Sequence, residues 1–160
     1  MRYISVFLTT LCIVLCSGCD SGYDCSLNNI AYNRISFYTT DEYGVESEYA
    51  MPETLTVSMM INGRDSIVVN HITGTTELTL PMCYTSSCDT LILDYDNGIT
   101  DTLYVGHRNI PFYQSMECGV IMHHQLTDAR HTGNLIDSMA INATNVNFDY
   151  NENIKLYFIE

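Results

Sequence analysis

Two acidic residues and a methionine–histidine run are where this sequence could hold an ion. Asn97-Gly98 is the preferred pair for a two-residue hairpin turn, which sets Asp94 opposite Asp101. Like charges directly opposed across a strand pair repel. A hard cation such as calcium would relieve that repulsion, with Asp89 and Asp96 near in sequence. The stretch does not fit the calcium-loop pattern, because Gly98 at its sixth position would demand acids at Leu93 and Tyr95. An exposed turn with solvated carboxylates is the simpler account. The histidines are His71, His107, His123, His124 and His131, and Met122-His123-His124 offers soft ligands for copper or zinc. Neighbours on a strand point to opposite faces, so His123 and His124 cannot share an ion. Met122 and His124 can, with His131 brought in by the following turn. Ordinary surface and edge histidines are the competing account.

Covalent chemistry is better marked. Of seven cysteines, Cys12, Cys16 and Cys19 lie in the first nineteen residues, leaving Cys25, Cys83, Cys88 and Cys118. Four cysteines in an exported domain read as two disulfides with three possible connectivities. Cys83 and Cys88 flank the turn Tyr84-Thr85-Ser86-Ser87, which suggests one bridge across a hairpin. Elimination then pairs Cys25 with Cys118. Neither pair has the Cys-x-x-Cys spacing of a redox catalyst. Four triplets read Asp, hydroxyl, apolar, with the hydroxyls at Ser66, Thr90, Thr102 and Ser138. They resemble the periplasmic O-glycosylation motif of some Gram-negative anaerobes. Equally, Asp ends a turn and the next two residues begin a strand.

The first nineteen residues state the compartment. Arg2 is followed by an apolar run from Tyr3 to Leu15, then by small residues Ser17 and Gly18 and by Cys19. This is the layout of a secretory signal, too short to span a bilayer, which takes ~20 apolar residues. Cys16-Ser17-Gly18-Cys19 resembles a bacterial lipobox with Cys19 as the acylated residue, although Leu15 stands four before the cysteine instead of the usual three. The expected organisation is a lipoprotein signal peptide over 1–18, a lipid anchor and short tether over 19–24, and one domain over 25–160. Acyl chains on Cys19 would hold the protein to the cell envelope, outer membrane before inner, facing the periplasm or the cell surface.

Without its leader the chain keeps five Lys and Arg against nineteen Asp and Glu, a formal charge of −14. Nucleic acid is excluded as a partner, because phosphate binding needs clustered cations. Adsorption to anionic lipid by charge is excluded for the same reason. There is no Gly-x-Ser-x-Gly elbow, no His-Glu-x-x-His and no phosphate-cradling glycine loop. The reading is therefore no enzyme and no cofactor. Tyrosines at 23, 32, 38, 43, 49 and 84 could supply contact surface for a glycan or an envelope protein.

The elements that must position these residues are strands. Leu55, Val57 and Met59 alternate with hydroxyl residues, as do Ile35 and Phe37, and Leu78, Leu80 and Met82 alternate with polar residues. Further strands are expected at Leu91–Leu93, Leu103–Val105, Tyr113–Cys118, Val120–Leu126, Ile136–Ile141 and Ile154–Ile159, the last with Ile154, Leu156 and Phe158 on one face. A helix fits only Leu135–Val146, and Asn145 and Asn147 argue against it there. Turn residues every ~8–14 positions point to an all-β fold, an antiparallel β-sandwich of immunoglobulin-like type in a single domain.

Cys25, Glu117-Cys118-Gly119 and the ending Asn151-Glu152-Asn153-Ile154-Lys155-Leu156-Tyr157-Phe158 together resemble a family of small uncharacterised cell-envelope lipoproteins of Gram-negative gut-type anaerobes. The resemblance implies compartment and fold, and it supports the Cys25–Cys118 pairing, with Cys83 and Cys88 an addition. It carries over no catalytic residue. The expectation is a lipid-anchored binding or envelope-assembly module. A cation- or metal-binding sensor is the first alternative, and an enzyme of unrecognised type is the second.

Overall fold

The structure is a computed structural model that describes residues 30–61, 63–116 and 118–159. The leader, Cys19, the tether and Cys25 lie outside the described residues. Among the described residues eleven strands follow one another: β1 (Tyr32–Thr40), β2 (Glu46–Glu48), β3 (Leu55–Ile61), β4 (Arg64–Ile72), β5 (Glu77–Pro81), β6 (Cys88–Asp94), β7 (Thr100–Ser115), β8 (Gly119–His131), β9 (Ile136–Ile141), β10 (Asn145–Val146) and β11 (Ile154–Phe158). They form two sheets, a single-domain β-sandwich. One sheet has the order β2-β1-β11-β9, with β5 also paired to β1, and the other has the order β10-β8-β7-β6-β3-β4. All pairs are antiparallel except β1 with β11, which run parallel.

Period-two alternation decides which face is inside. Leu55, Val57, Met59, Leu91, Leu93, Leu103 and Val105 from one sheet meet Ile35, Phe37, Leu78, Leu80, Ile154 and Leu156 from the other, all buried. Phe158 sits among three rings, 5.1 Å from Phe37, 5.1 Å from Tyr49 and 6.4 Å from Tyr95. Each such side chain contributes roughly 1.5–3 kcal/mol by leaving water. The stretch 135–146 is β9 and β10 and contains no helix. The separate strands expected at Leu103–Val105 and Tyr113–Cys118 are one strand, β7, ending at Ser115, with Cys118 in the turn beyond it. Pro111 is tolerated inside β7 because β6 stops opposite Gly106. Past that point β7 has an open side where no donor is needed.

Asp94 does not face Asp101. Asp94 pairs with Thr100 and Asp101 with Leu93, so the β6–β7 connection runs through five residues, Tyr95 to Ile99. Positive φ falls on Asp96 (57°) and Gly98 (83°). The longer loop lets Tyr95 turn inward, fully buried, with its hydroxyl donating to Asp101 Oδ2 at 3.3 Å. Asp94 stays exposed and accepts only from the Asp96 amide.

Asp101 is 0% exposed and serves the crossing from β8 to β9, that is, from one sheet to the other. Its Oδ1 accepts from the Thr132 hydroxyl (2.8 Å) and the Asn134 amide (2.9 Å), and its Oδ2 from the amides of Leu135 (2.8 Å) and Ile136 (3.3 Å). Burial pushes the carboxyl pKa up, but these donors outweigh it and hold the group below the ordinary aspartate range. The stability it contributes is therefore complete above the unfolded value of ~3.9 and is lost only as pH falls below it. Asp101→Ala strands three amides and two hydroxyls and should cost at least about 3 kcal/mol. Asp94→Ala should stay within about 0.5 kcal/mol. Urea midpoints of the two variants at neutral pH test the contrast.

Candidate functional site

A buried group of titratable side chains lies where the chain crosses from β5 to β6. Residues 82–87 leave one sheet and enter the other, and their backbone needs partners off the ladders. Asp89 on β6 accepts from the Cys83 amide with both oxygens at 3.3 Å. The Asn109 amide donates to the carbonyls of Tyr84 (2.9 Å) and Ser86 (2.8 Å), and the His107 amide to that of Ser87 (2.8 Å). Asn109 Oδ1 then lies 3.0 Å from His107 Nδ1 and 2.7 Å from His124 Nδ1. An oxygen can only accept, so both imidazoles carry their hydrogen on Nδ1. The two rings meet edge to face at 5.3 Å.

His107 Nε2 is turned to Asp89 Oδ2 at 3.3 Å, and no hydrogen bond satisfies it. The contact sets a buried imidazole edge against a buried carboxylate. At His124, opposite, burial and then the neighbouring His107 charge lower the pKa to about 4. Asp89, His107 and His124 are each at most 4% exposed. Cys83 Sγ bonds Thr85 Oγ1 at 3.2 Å and Cys88 Sγ points to the Asp89 carbonyl at 3.8 Å, so neither thiol addresses an imidazole in this arrangement. The cluster bolts a loop in place.

Cys83 and Cys88 are free thiols, which corrects the expected bridge between them. The reason is topological. β5 belongs to the β1 sheet and β6 to the other, so the turn between them is a crossing and does not close a hairpin. Cys118 is disulfide-bonded, while Cys25 lies outside the described residues.

The expected ion sites are not assembled. Asp94 and Asp101 are separated as described. Met122 pairs with Pro111, and His124 with Asn109, which already occupies its Nδ1. His123 turns to the other face and stacks on Phe112 at 4.7 Å, and His131 Nδ1 lies 2.9 Å from the Thr132 carbonyl oxygen, opposite Leu103. Among the described residues no three His, Cys, Asp or Glu side chains group so as to hold a metal. Of the four hydroxyl triplets, those of Thr90 and Thr102 have their aspartates, Asp89 and Asp101, facing inward and fully used. Ser138 is exposed beside an exposed Asp137, and Ser66 is half-buried beside an exposed Asp65.

Asp89, His107 and Asn109 were not legible as a cluster. The signal is phase: Asp89 shares the inward register of Leu91 and Leu93, and a polar residue in that register must be paired.

Open to solvent is a groove of about 350 Å³ between the end of β3 and the crossing, lined by Met59, Ile61, Pro81, Met82, Cys83, Tyr84 and Thr85. Its floor is apolar, and Tyr84 stands exposed at its rim. The outer face of the β1 sheet is different. There a polar hollow of about 190 Å³ lies over Arg34, Tyr38, Glu48, Glu77 and Glu152.

The lowered His124 pKa has a consequence for stability. Folding keeps the ring neutral, so the unfolded chain binds the extra proton between pH 6.5 and about 4. The native state keeps its full stability above pH 6.5 and should lose up to about 3 kcal/mol from this group as pH falls to 4. His124→Gln should flatten that slope, which urea midpoints at pH 7, 5.5 and 4.5 would show.

Residues 54–158, from the start of β3 to the end of β11, match a family of unknown function, DUF6452. No curated protein and no solved structure matches the chain. With nearly the whole sandwich inside the match, the chain belongs to the DUF6452 family.

Proposed function

We propose that this protein is a lipid-anchored envelope β-sandwich, acylated on Cys19, that acts by binding a partner and not by catalysis. The observation that carries the binding role is the contrast between its inside and its surface. Its buried acids and histidines are spent on holding crossings, while the 350 Å³ groove presents apolar side chains, a free thiol and an exposed tyrosine. Apolar floors rimmed by a few polar groups bind side chains or short segments of a partner. An envelope protein therefore fits better than a glycan, which would need convergent hydrogen-bond donors and acceptors.

The −14 charge of the chain after the leader suits the same reading, since it keeps the body soluble and off anionic surfaces. A photo-crosslinking residue at Tyr84, with one at Tyr43 as control, tests it in intact envelopes. Adducts with a discrete envelope protein at position 84 but not at 43 are expected. Equal labelling at both positions, or none at either, would remove the groove from consideration.

The covalent state has its own measurement. Cys19 carries diacylglycerol through its sulfur, Cys25 is bridged to Cys118, and Cys83 and Cys88 stay reduced. The register supports this bridge: Ile30 pairs parallel with Met122, and counting back five and four residues reaches Cys25 and Cys118. Intact mass should show residues 19–160 plus acyl chains, with two maleimide adducts on the denatured protein and four after reduction. A hexose-sized increment would place a glycan, with Ser138 and Ser66 the accessible sites. An unlipidated mass beginning elsewhere than Cys19 would count against the anchor.

A further inference from the structure

The β7–β8 hairpin outruns the sandwich. β6 ends opposite Gly106, and from Arg108 onward β7 is half-buried or exposed at every described position. A register shift between Gly106 and His107 bends the ladder at that boundary. Beyond it Ile121, paired opposite Phe112, is still buried, but most of the apolar side chains are open to solvent. Ile110, Phe112, Tyr113, Met116 and Val120 are all exposed, with Tyr113 at 60%, Val120 at 64% and Met116 at 89%. From Asn109 to Met116 no residue is charged, in a protein of net charge −13.

The start of the described chain lies against this hairpin. Ile30 bridges Met122 in parallel, and Ile30 is itself exposed. Met122 is four residues from Cys118 in the hairpin turn, so Ile30 sits on the part of the sheet next to the tip. Cys19 is eleven residues before Ile30, a reach of at most about 40 Å. From Met122 to the turn is about 10–20 Å of strand. The tether is long enough to pass the tip and short enough to keep it near whatever holds Cys19.

We infer that the hairpin tip is a membrane-docking element, seating Phe112, Tyr113 and Met116 in the interface of a zwitterionic bilayer. The inference rests on the anchoring of Cys19 for its orientation. Aromatic rings and methionine suit the boundary of acyl chains and headgroups. The tip offers no cation to anionic headgroups, so charge-neutral lipid is the matching surface. The domain would then stand on its tip, with the Tyr43 turn at the far end of β1, about 30 Å of strand away.

The chain has no tryptophan, so single substitutions report cleanly. The full acylated protein is placed on phosphatidylcholine vesicles containing brominated lipid, with Phe112→Trp, Met116→Trp or, as control, Tyr43→Trp. Met116 is nearly fully exposed, so its variant folds even if that of Phe112 does not. Both tip variants should shift to the blue and be quenched, more by bromines near the headgroups than at the bilayer centre, because interfacial depth is ~5–10 Å. The control should do neither. Vesicle-bound protein with unquenched tip tryptophans would overturn the inference and leave the anchor standing. Quenched tips on a protein that mass shows to be unacylated would uphold docking and remove the anchor. A blue shift without lipid that grows with protein concentration would mean a second copy covers the tip, and the inference would fall.

Discussion

One carboxylate sets the geometry on which the two sheets depend. Wherever the chain passes from one layer of a sandwich to the other, it leaves the hydrogen-bond ladder while still near the core. Its amides and carbonyls then have neither strand nor water. At the β8–β9 crossing Asp101 supplies acceptors for three consecutive amides, and the hydroxyls of Thr132 and Tyr95 complete its shell. Burying a charge is costly unless it is fully bonded. Here five donors compensate, so the fold gains a crossing that can close in only one way.

The same solution appears twice more with different residues. At the β5–β6 crossing, Asp89 and Asn109 hold the loop carbonyls and amides, and His107 and His124 close the remaining valences of Asn109. Before β11, buried Asn153 accepts from the Arg34 amide and donates to the carbonyls of Ala143 and Asn145, while its own amide donates to the Arg34 carbonyl. That last set locks the parallel β1–β11 pair to the β9–β10 connection. Three buried polar centres thus do for the crossings what alternation does for the strands. Their difference in charge matters. Asn153 is indifferent to pH, Asp101 responds only at low pH, and His124 makes the β5–β6 crossing the acid-sensitive one.

Alternation is a local property, and so the strands were legible: Leu55 to Met59, Leu78 to Met82 and Ile154 to Phe158 lie where their period places them. Pairing is not local. Asn97-Gly98 carried a genuine turn signal, yet Tyr95 had more to gain by entering the core beside Phe158 than a tight turn could offer, and the register moved by one residue. That shift alone separates Asp94 from Asp101. Cys83 and Cys88 fail for a related reason, since spacing shows that two residues are close in sequence but not whether the strands they flank share a sheet. The Asp89–His107–Asn109–His124 cluster was written in the sequence only as polar residues in an inward phase, without any indication of which would meet.

The distribution of charge then separates body from tip. Arg34, Arg130 and Lys155 are each paired to a carboxylate, and Arg108 to Gln125. Lys155 also lies over the Tyr38 ring at 4.6 Å. With so few cations, and all but Arg64 among the described residues engaged in these contacts, the body presents carboxylates to solvent and repels anionic surfaces. The overhang of β7 and β8 differs in carrying no charged residue from Asn109 to Met116, with Glu117 next in sequence. A sheet strand normally ends when its apolar face runs out of core. Here the strands continue past the core with exposed apolar residues on them. The Ile30–Met122 bridge sets the first described residue, itself exposed, against that overhang.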